Sequence, residues 1–399
     1  MKWKKWLAFL LAMAMFLCLC ACGSDSSTKK DYDKTHQTTT TTNLKDVIEE
    51  NTHIDEEFTD DEKDELNINT TLPTIEESIV NIALFGLDER GETGEAVATT
   101  ITNDTIILLT IDRRDNKNPR VKLSSIARDT LVYVEGYNSK DSKTQLCHAF
   151  NFGYHQAKAA DTVGALTEED YKHEGAKTAL ATINRNFQLN IVDYIYVNSA
   201  EMMDIVDYLG GVTIDVQQRE LSELNKHIGA MEEEFDRDLK QVNQAGTQTL
   251  SGDQALAYSR IRKIDSDLRR TQRCRDVLKA AFDKTKQTPI AKLPDVITKL
   301  LSLCHTTLTA EEALTYSTWM AINNPDTLEY VLPNTNVNAS WIWEGTHPDY
   351  GWVWIYDLDY ASALLIDFIY DYDAAKDMPQ PTMPDEPRVT GITTTPTNG

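Results

Sequence analysis

No pair of cysteines and no group of histidines in this 399-residue chain has metal-ligand spacing, although it contains six cysteines and eight histidines. That excludes a zinc ribbon or finger, so any metal would be a hard cation held by carboxylates. Glycine and proline are also few, 17 and 12 residues, while apolar residues make up 41%, which excludes a low-complexity chain and allows a real core. Cations are scarce too: 39 Lys and Arg face 63 acids, for a formal charge of −24. With no basic recognition helix, nucleic acid is not an expected partner. The apolar run from Trp6 to Ala21 is short for a membrane span, which needs about 20 residues.

What stands at the N-terminus instead is an export pattern. Lys2, Lys4 and Lys5 precede the apolar run, which ends in Leu19-Cys20-Ala21-Cys22. A basic region, a short apolar segment and a small residue before the cut describe a signal peptide over residues 1–21. The ending resembles the bacterial lipobox, which implies lipidation of Cys22 and a lipid-anchored chain on the extracytoplasmic face of the cell membrane. The alternative is an uncleaved anchor helix, and either way the remainder lies outside the cytoplasmic membrane. The three cysteines beyond it, Cys147, Cys274 and Cys304, are an odd number and no disulfide framework, with one pair left open. Residues 22–78 carry sixteen acids against five lysines and a Thr-rich stretch, and read as a disordered, self-repelling tether. The Pro- and Thr-rich residues 376–399 read as a disordered tail.

Between them the hydrophobic pattern predicts strands at 80–85, 106–111, 121–126, 191–197, 212–216 and 328–332. Residues 131–134 continue extended to a turn at Gly136. Helices are predicted at 174–187, 200–209, 251–258, 293–303, 311–322 and 360–370. Residues 218–246 are polar and acidic with weak periodicity, a helical excursion or an insertion. Strand–helix alternation with glycine stops argues for an α/β sheet with helices on both faces. The aromatics Trp341, Trp343, Trp352 and Trp354, with Tyr350 and Tyr356, alternate like a hairpin around Gly345 and Gly351. Their faces suit sugar stacking, but cross-strand packing is the commoner use.

The most unusual stretch runs from Tyr258 to Arg275. Residues 260–275 hold seven cations and two acids in an acidic chain. Arg260 and Arg262 alternate as on a strand or extended turn. Ser266 is positioned to cap a helix that places Arg269 and Arg270 in its first turn, where the macrodipole disfavours cations and favours an anion. A solvated basic face is the plainer reading of the charge alone. Three carboxylate-bearing turns flank strands: Gly86-Leu87-Asp88-Glu89-Arg90, Asn103-Asp104-Thr105 and Arg128-Asp129. Carboxylates near several arginines, with no thiolate or histidine in play, suit a metal-assisted phosphate site.

In this order, Gly-x-Asp-x-Arg at 86–90, Asn-Asp-Thr at 103–105 and Ile-x-Arg-Asp-Thr at 126–130 are followed by Leu-Gly-Gly-Val-x-Ile-Asp-Val at 209–216. Leu-Ser-Gly-Asp-Gln-Ala-Leu-Ala-Tyr-Ser-Arg-Ile-Arg at 250–262 comes next, then Asp267, Arg270 and Arg273. Together these resemble the LytR-CpsA-Psr family of bacterial cell-wall proteins, over residues 79–375, with a core at 79–287 and a C-terminal part at 288–375. The resemblance implies an α-β-α sandwich with a central mixed β-sheet and an apolar lipid tunnel. It implies transfer of a glycopolymer from a polyprenyl-pyrophosphate carrier onto peptidoglycan or another wall acceptor. Carried over by position, Arg128, Arg260, Arg262 and Arg270 grip the pyrophosphate, and Asp88 and Asp104 hold Mg²⁺ or Mn²⁺. Asp129 and Asp267 orient these groups or take a proton. Arg90, Lys143, Gln145 and Arg273 face the substrate.

The chain departs from the family pattern at three positions. Gln145 stands where a phosphate-reaching lysine is found, with Lys143 two residues earlier. Thr102 replaces an arginine, and Cys274 a glutamine. Lost cations weaken phosphoryl stabilisation, so the alternative is a module that binds polyprenyl-linked polymer or wall material without turnover.

Overall fold

A computed structural model describes residues 65–69, 78–90, 100–115, 117–235, 238–261, 264, 267–285, 293–334 and 341–376, and a few positions up to 384. The signal, Cys22, most of the tether and Arg262 lie outside the described residues, as do the side chains of Arg90 and Asp267. No helix among the described residues is long and apolar enough to cross a membrane.

In chain order the first half gives β1 (Ile79–Arg90), β2 (Thr100–Asp112), β3 (Arg120–Ile126), β4 (Leu131–Tyr133), β5 (Lys143–Gln145), α1 (His148–Ala160), α2 (Glu168–Phe187) and β6 (Asp193–Asn198). Next come α3 (Ser199–Tyr208), β7 (Val212–Val216), α4 (Leu221–Phe235), β8 (Gly246–Leu250), α5 (Gly252–Ser259) and α6 (Asp267–Thr285). The chain continues with α7 (Leu293–Leu301), β9 (His305–Thr306), α8 (Ala310–Asn323), β10 (Asp326–Leu332), β11 (Ile342–His347), β12 (Gly351–Tyr356) and α9 (Leu358–Tyr370). The principal sheet has the order β10-β3-β2-β1-β6-β9. It is mixed: β10 runs parallel to β3, while β2 is antiparallel to β3 and β6 to β9. The fold is therefore α/β with a mixed central sheet.

Two compact units divide the chain. The first takes Phe85–Asp104 and Ile195–Asn324; the second takes Thr105–Tyr194, the described residues from 65 to Leu84 and those beyond Asn324. α7 and α8 belong to the first unit, whereas β10 joins the second because it pairs along its length with β3.

In the first unit, α3 begins with an Asn198–Glu201 capping box and stops at Gly210 and Gly211, whose φ of +77° and +84° only glycine adopts at no steric cost. The antiparallel pair β7–β8 follows, with α4 between its strands and register Val212↔Leu250 to Val216↔Gly246. Helix α5 starts with a second capping box, Ser251 with Gln254. Gly252 lies against α3: a Cβ there would come within 2.2 Å of the Met203 carbonyl oxygen, and its amide donates to Asp207. The serine, glycine and glutamine of the Leu-Ser-Gly-Asp-Gln signature are thus a helix start fitted onto a neighbouring helix. Met202, Met203, Ile205 and Val206 are buried.

In the second unit, α2 is capped by Thr167 with Asp170 and ends at Gln188 in the left-handed conformation. Residues 65–69, which the composition assigns to the tether, are folded onto it. Leu66 is fully buried, its carbonyl accepts from Asn184 Nδ2 at 2.9 Å, and Asn69 bonds backbone and side chain to Leu189 and Gln188. A buried leucine, the bonds of Asn184 and Asn69, and the Glu65–Lys177 ion pair at 3.1 Å hold this segment. A charge cluster fills the end of β2 and β3: Lys122 Nζ donates to Asp371 and to the Ile369 carbonyl, and Asp112 pairs with Arg114 and Arg120. Burial opposes ionisation of Asp112 and Asp371, but the hydrogen bonds and cations outweigh it and hold both carboxyls below their usual range.

Candidate active site

The first unit carries the arginine stretch. Arg260 is not on a strand. It is the C-cap of α5, with φ −77° and ψ −5°, and its amide donates to the Leu256 carbonyl. A cation at that end complements the helix dipole, which eases burial of a side chain only 8% exposed. Helix α6 then begins at Asp267 and places Arg269 and Arg270 in its first turn, as the periodicity predicts. Arg270 is 1% exposed and Arg269 is open to solvent. Arg273, one turn on, donates from Nε to Glu220 Oε1 at 2.9 Å and from Nη1 to the Ile261 carbonyl at 2.9 Å. It thus ties α6 to the residue that follows Arg260. Glu220 also accepts from the Gln217 amide through its other oxygen, at 3.0 Å.

The sequence reading assigns Arg273 to the substrate and misses Glu220. Glu220 lies in the polar stretch 218–246, where nothing marks one acid among many as the buried one. Beside this frame a cleft of about 700 Å³ is lined by Tyr258, Arg269, Arg273, Glu220, Asp276 and Lys279, among others. The Tyr258 hydroxyl is held far above its ordinary value, by burial first and then by Glu220 and Asp276.

Asp88 and Asp104 belong to the same unit, on the neighbouring strands β1 and β2, and both are buried. Among the described residues no group of three His, Cys, Asp or Glu is placed to hold a metal. Two hard carboxylates on adjacent strands nonetheless fit Mg²⁺, which is commonly bound through one or two carboxylates plus substrate phosphates.

The second unit carries the Arg128-Asp129 turn, and almost every backbone group in it is used. Ala127 N donates to the Leu332 carbonyl, and the Thr130 amide and hydroxyl both close on the Ala127 carbonyl. The carbonyls of Arg128, Asp129 and Thr130 accept from Cys147, Trp354 and Leu146, each at 2.9 Å. Thr130 Oγ1 also meets Tyr356 OH at 3.0 Å. On this fixed turn Arg128 Nε lies 3.4 Å from Asp129 Oδ2. Strand β5 brings Lys143 and Gln145 alongside through the pairs Tyr133↔Lys143 and Leu131↔Gln145. Gln145 Nε2 donates to the Trp352 carbonyl at 2.5 Å. Each unit thus assembles its own share of the predicted residues: Asp88, Asp104, Arg260, Arg270 and Arg273 in one, Arg128, Asp129, Lys143 and Gln145 in the other.

The fold is thus a mixed α/β sheet, and its first unit holds buried arginines at helix ends and buried aspartates on adjacent strands. The family model for LytR_cpsA_psr matches residues 36–355, and the chain belongs to that family. It is 30% identical over 272 residues to the polyisoprenyl-teichoic acid–peptidoglycan teichoic acid transferase TagU of Oceanobacillus iheyensis, covering 67% of this chain and 71% of that one. It is also 30% identical over 206 residues to the corresponding transferase TagT of Bacillus subtilis, covering 52% of each. Among solved structures, a Streptococcus agalactiae protein superposes with a TM-score of 0.54 at 20% identity, over 78% of this chain and 93% of that one, and shares the fold.

Proposed function

We propose that the protein is a phosphotransferase that moves a glycopolymer from a polyprenyl-pyrophosphate carrier onto peptidoglycan or another wall acceptor. The observation that carries this reading is the frame of the first unit, where Arg273 joins the segment bearing Arg260 to the helix bearing Arg270. In an acidic chain, guanidinia held this way suit the non-bridging oxygens of a pyrophosphate, which Arg binds in a fork. The names of the relatives, transferases of polyprenyl-linked teichoic acid to peptidoglycan, support the same class of donor and acceptor.

An acceptor hydroxyl oxygen forms a bond to the sugar-proximal phosphorus, and the bond from that phosphorus to the bridging oxygen breaks. Polyprenyl monophosphate leaves, and the hydroxyl proton passes to a carboxylate. Arg260, Arg262 and Arg270 hold the phosphate oxygens and neutralise the charge that grows on the leaving group. Arg128, which Asp129 faces on its fixed turn, is a further guanidinium suited to phosphate oxygens. Asp129 or Asp267 takes the proton. Asp88 and Asp104 would hold Mg²⁺, which supplies Lewis-acid polarisation of the phosphates. Such a step asks for alignment and charge stabilisation, with no covalent nucleophile. The signal pattern and Cys22 support a domain outside the cytoplasmic membrane, tethered by lipid.

One observation favours binding without turnover. Gln145, standing in place of a phosphate-reaching lysine, donates its amide to the Trp352 carbonyl. The test follows polyprenyl monophosphate by mass spectrometry, with a polyprenyl-pyrophosphate-linked sugar, peptidoglycan fragments and Mg²⁺. Transferase activity predicts release that depends on Mg²⁺ and is lost in Arg128→Ala and Arg260→Ala. Tight binding of the carrier with no release supports the binding module instead.

A further inference from the structure

Strands β11 and β12 form an antiparallel hairpin whose two faces differ. Trp343, Val353 and Ile355 face inward and pack with Leu131. The other face carries Trp352 and Trp354, with Thr346 and Glu344 directly across from them in register. The two indoles meet edge to face, with centroids 5.7 Å apart and planes at 88°. Trp354 is 4% exposed, but Trp352 is 38% exposed. The inner ring therefore acts as a wall that fixes the outer one.

The strand that carries both rings is joined to the Arg128-Asp129 turn. Trp354 N donates to the Asp129 carbonyl, and Thr130 bridges to Trp354 in parallel. One strand period away, the Trp352 carbonyl receives the Gln145 amide. The exposed ring is thus held at a set position, two residues from a backbone contact with the candidate phosphate turn.

We propose that Trp352 is the floor of a saccharide subsite and takes the apolar C–H face of a pyranose ring. Gln145 fixes the strand, Thr346 stands directly across from Trp352, and Glu344 stands across from Trp354 on the same face. An indole face partly open to water, backed by a second indole, with a hydroxyl directly across and a carboxylate on the same hairpin face, has the chemistry to bind a sugar ring. The subsite rests on the transferase reading for its role, because it lies on the strand bonded to Arg128-Asp129. The sugar is either the first residue of the polyprenyl-linked polymer or a residue of the acceptor glycan.

The test measures binding by the full chain of two probes: chitotetraose, which has no phosphate, and a short-chain polyprenyl-pyrophosphate-linked N-acetylhexosamine. Trp352→Ala is compared with Trp352→Phe, which keeps an aromatic face, and melting temperature reports the fold of each. An affinity loss of about tenfold in Trp352→Ala, restored in Trp352→Phe, is the expected result. A loss for chitotetraose identifies the acceptor glycan, and a loss confined to the carrier-linked sugar identifies the donor. Wild-type affinity of Trp352→Ala for both probes overturns the subsite, as does a wild-type protein that binds neither. Because chitotetraose needs no transfer, Trp352-dependent binding without polyprenyl phosphate release leaves the subsite standing and removes the transferase role. Normal transfer by Trp352→Ala together with unchanged binding removes the subsite alone.

Discussion

Arg273 and Glu220 form a buried ion pair, Nε to Oε1 at 2.9 Å, that joins helix α6 to the turn before α4. The second donor of Arg273 fixes the Ile261 carbonyl, so the pair also sets the backbone just after Arg260. Removing one partner of a buried pair leaves the other charge uncompensated, at a cost of about 3–5 kcal/mol. Glu220→Ala is therefore expected to lower stability by about that amount in urea unfolding. A double replacement by apolar residues, Glu220→Leu with Arg273→Met, is expected to recover a substantial part of it. Equal stability of Glu220→Ala and the wild type contradicts the brace.

Gly252 makes a second, steric test. Its missing Cβ leaves room for the Met203 carbonyl, and backbone on both sides leaves little to give way. Gly252→Ala is expected to push α5 off α3 and lower stability by about 1–3 kcal/mol or more, an overpacking effect. Because α5 ends at Arg260, the same variant should weaken pyrophosphate binding. Thermal melting and binding of a soluble polyprenyl pyrophosphate check the two effects separately.

Asp161 gives a pH test away from the site. The Leu166 and Ala165 amides and then the Tyr171 hydroxyl hold its carboxyl down at about 2. A depressed carboxyl favours the loop above its ordinary range, and that contribution is lost as pH falls through about 2. The amide proton shifts of Ala165 and Leu166 should therefore titrate with a midpoint near 2, and that titration should vanish in Asp161→Ala. A midpoint at the ordinary aspartate value of 3.8 refutes the loop geometry.

Strands were legible wherever apolar runs end in a turn: β3, β6 and β7 fall within about two residues of their predicted ranges. β1 and β2 run longer than the apolar pattern, because Asp88 and Asp104 are strand residues that interrupt it. Helix α1 escaped notice because His148, Asn151 and Gln156 dilute its periodicity. The alternation of Arg260 and Arg262 mimicked a strand, yet the capping box at Ser251 carries helix up to Arg260. The hairpin around Gly345 and Gly351 was legible, but which of its rings stays exposed was not. That depends on Leu131 covering one face and Trp354 backing the other. Glu220 and Trp354 gained their roles from partners more than fifty residues away in the chain, which no local pattern records.

The central claim is attack at phosphorus rather than at the sugar carbon, and the lipid product separates the two. The measurement is mass spectrometry of the polyprenyl species after reaction of a polyprenyl-pyrophosphate-linked sugar with peptidoglycan fragments, beside Arg128→Ala and Arg260→Ala. The account predicts polyprenyl monophosphate and an acceptor heavier by the sugar and one phosphate, both absent in the two variants. Polyprenyl pyrophosphate with an acceptor that has gained sugar but no phosphate would contradict it.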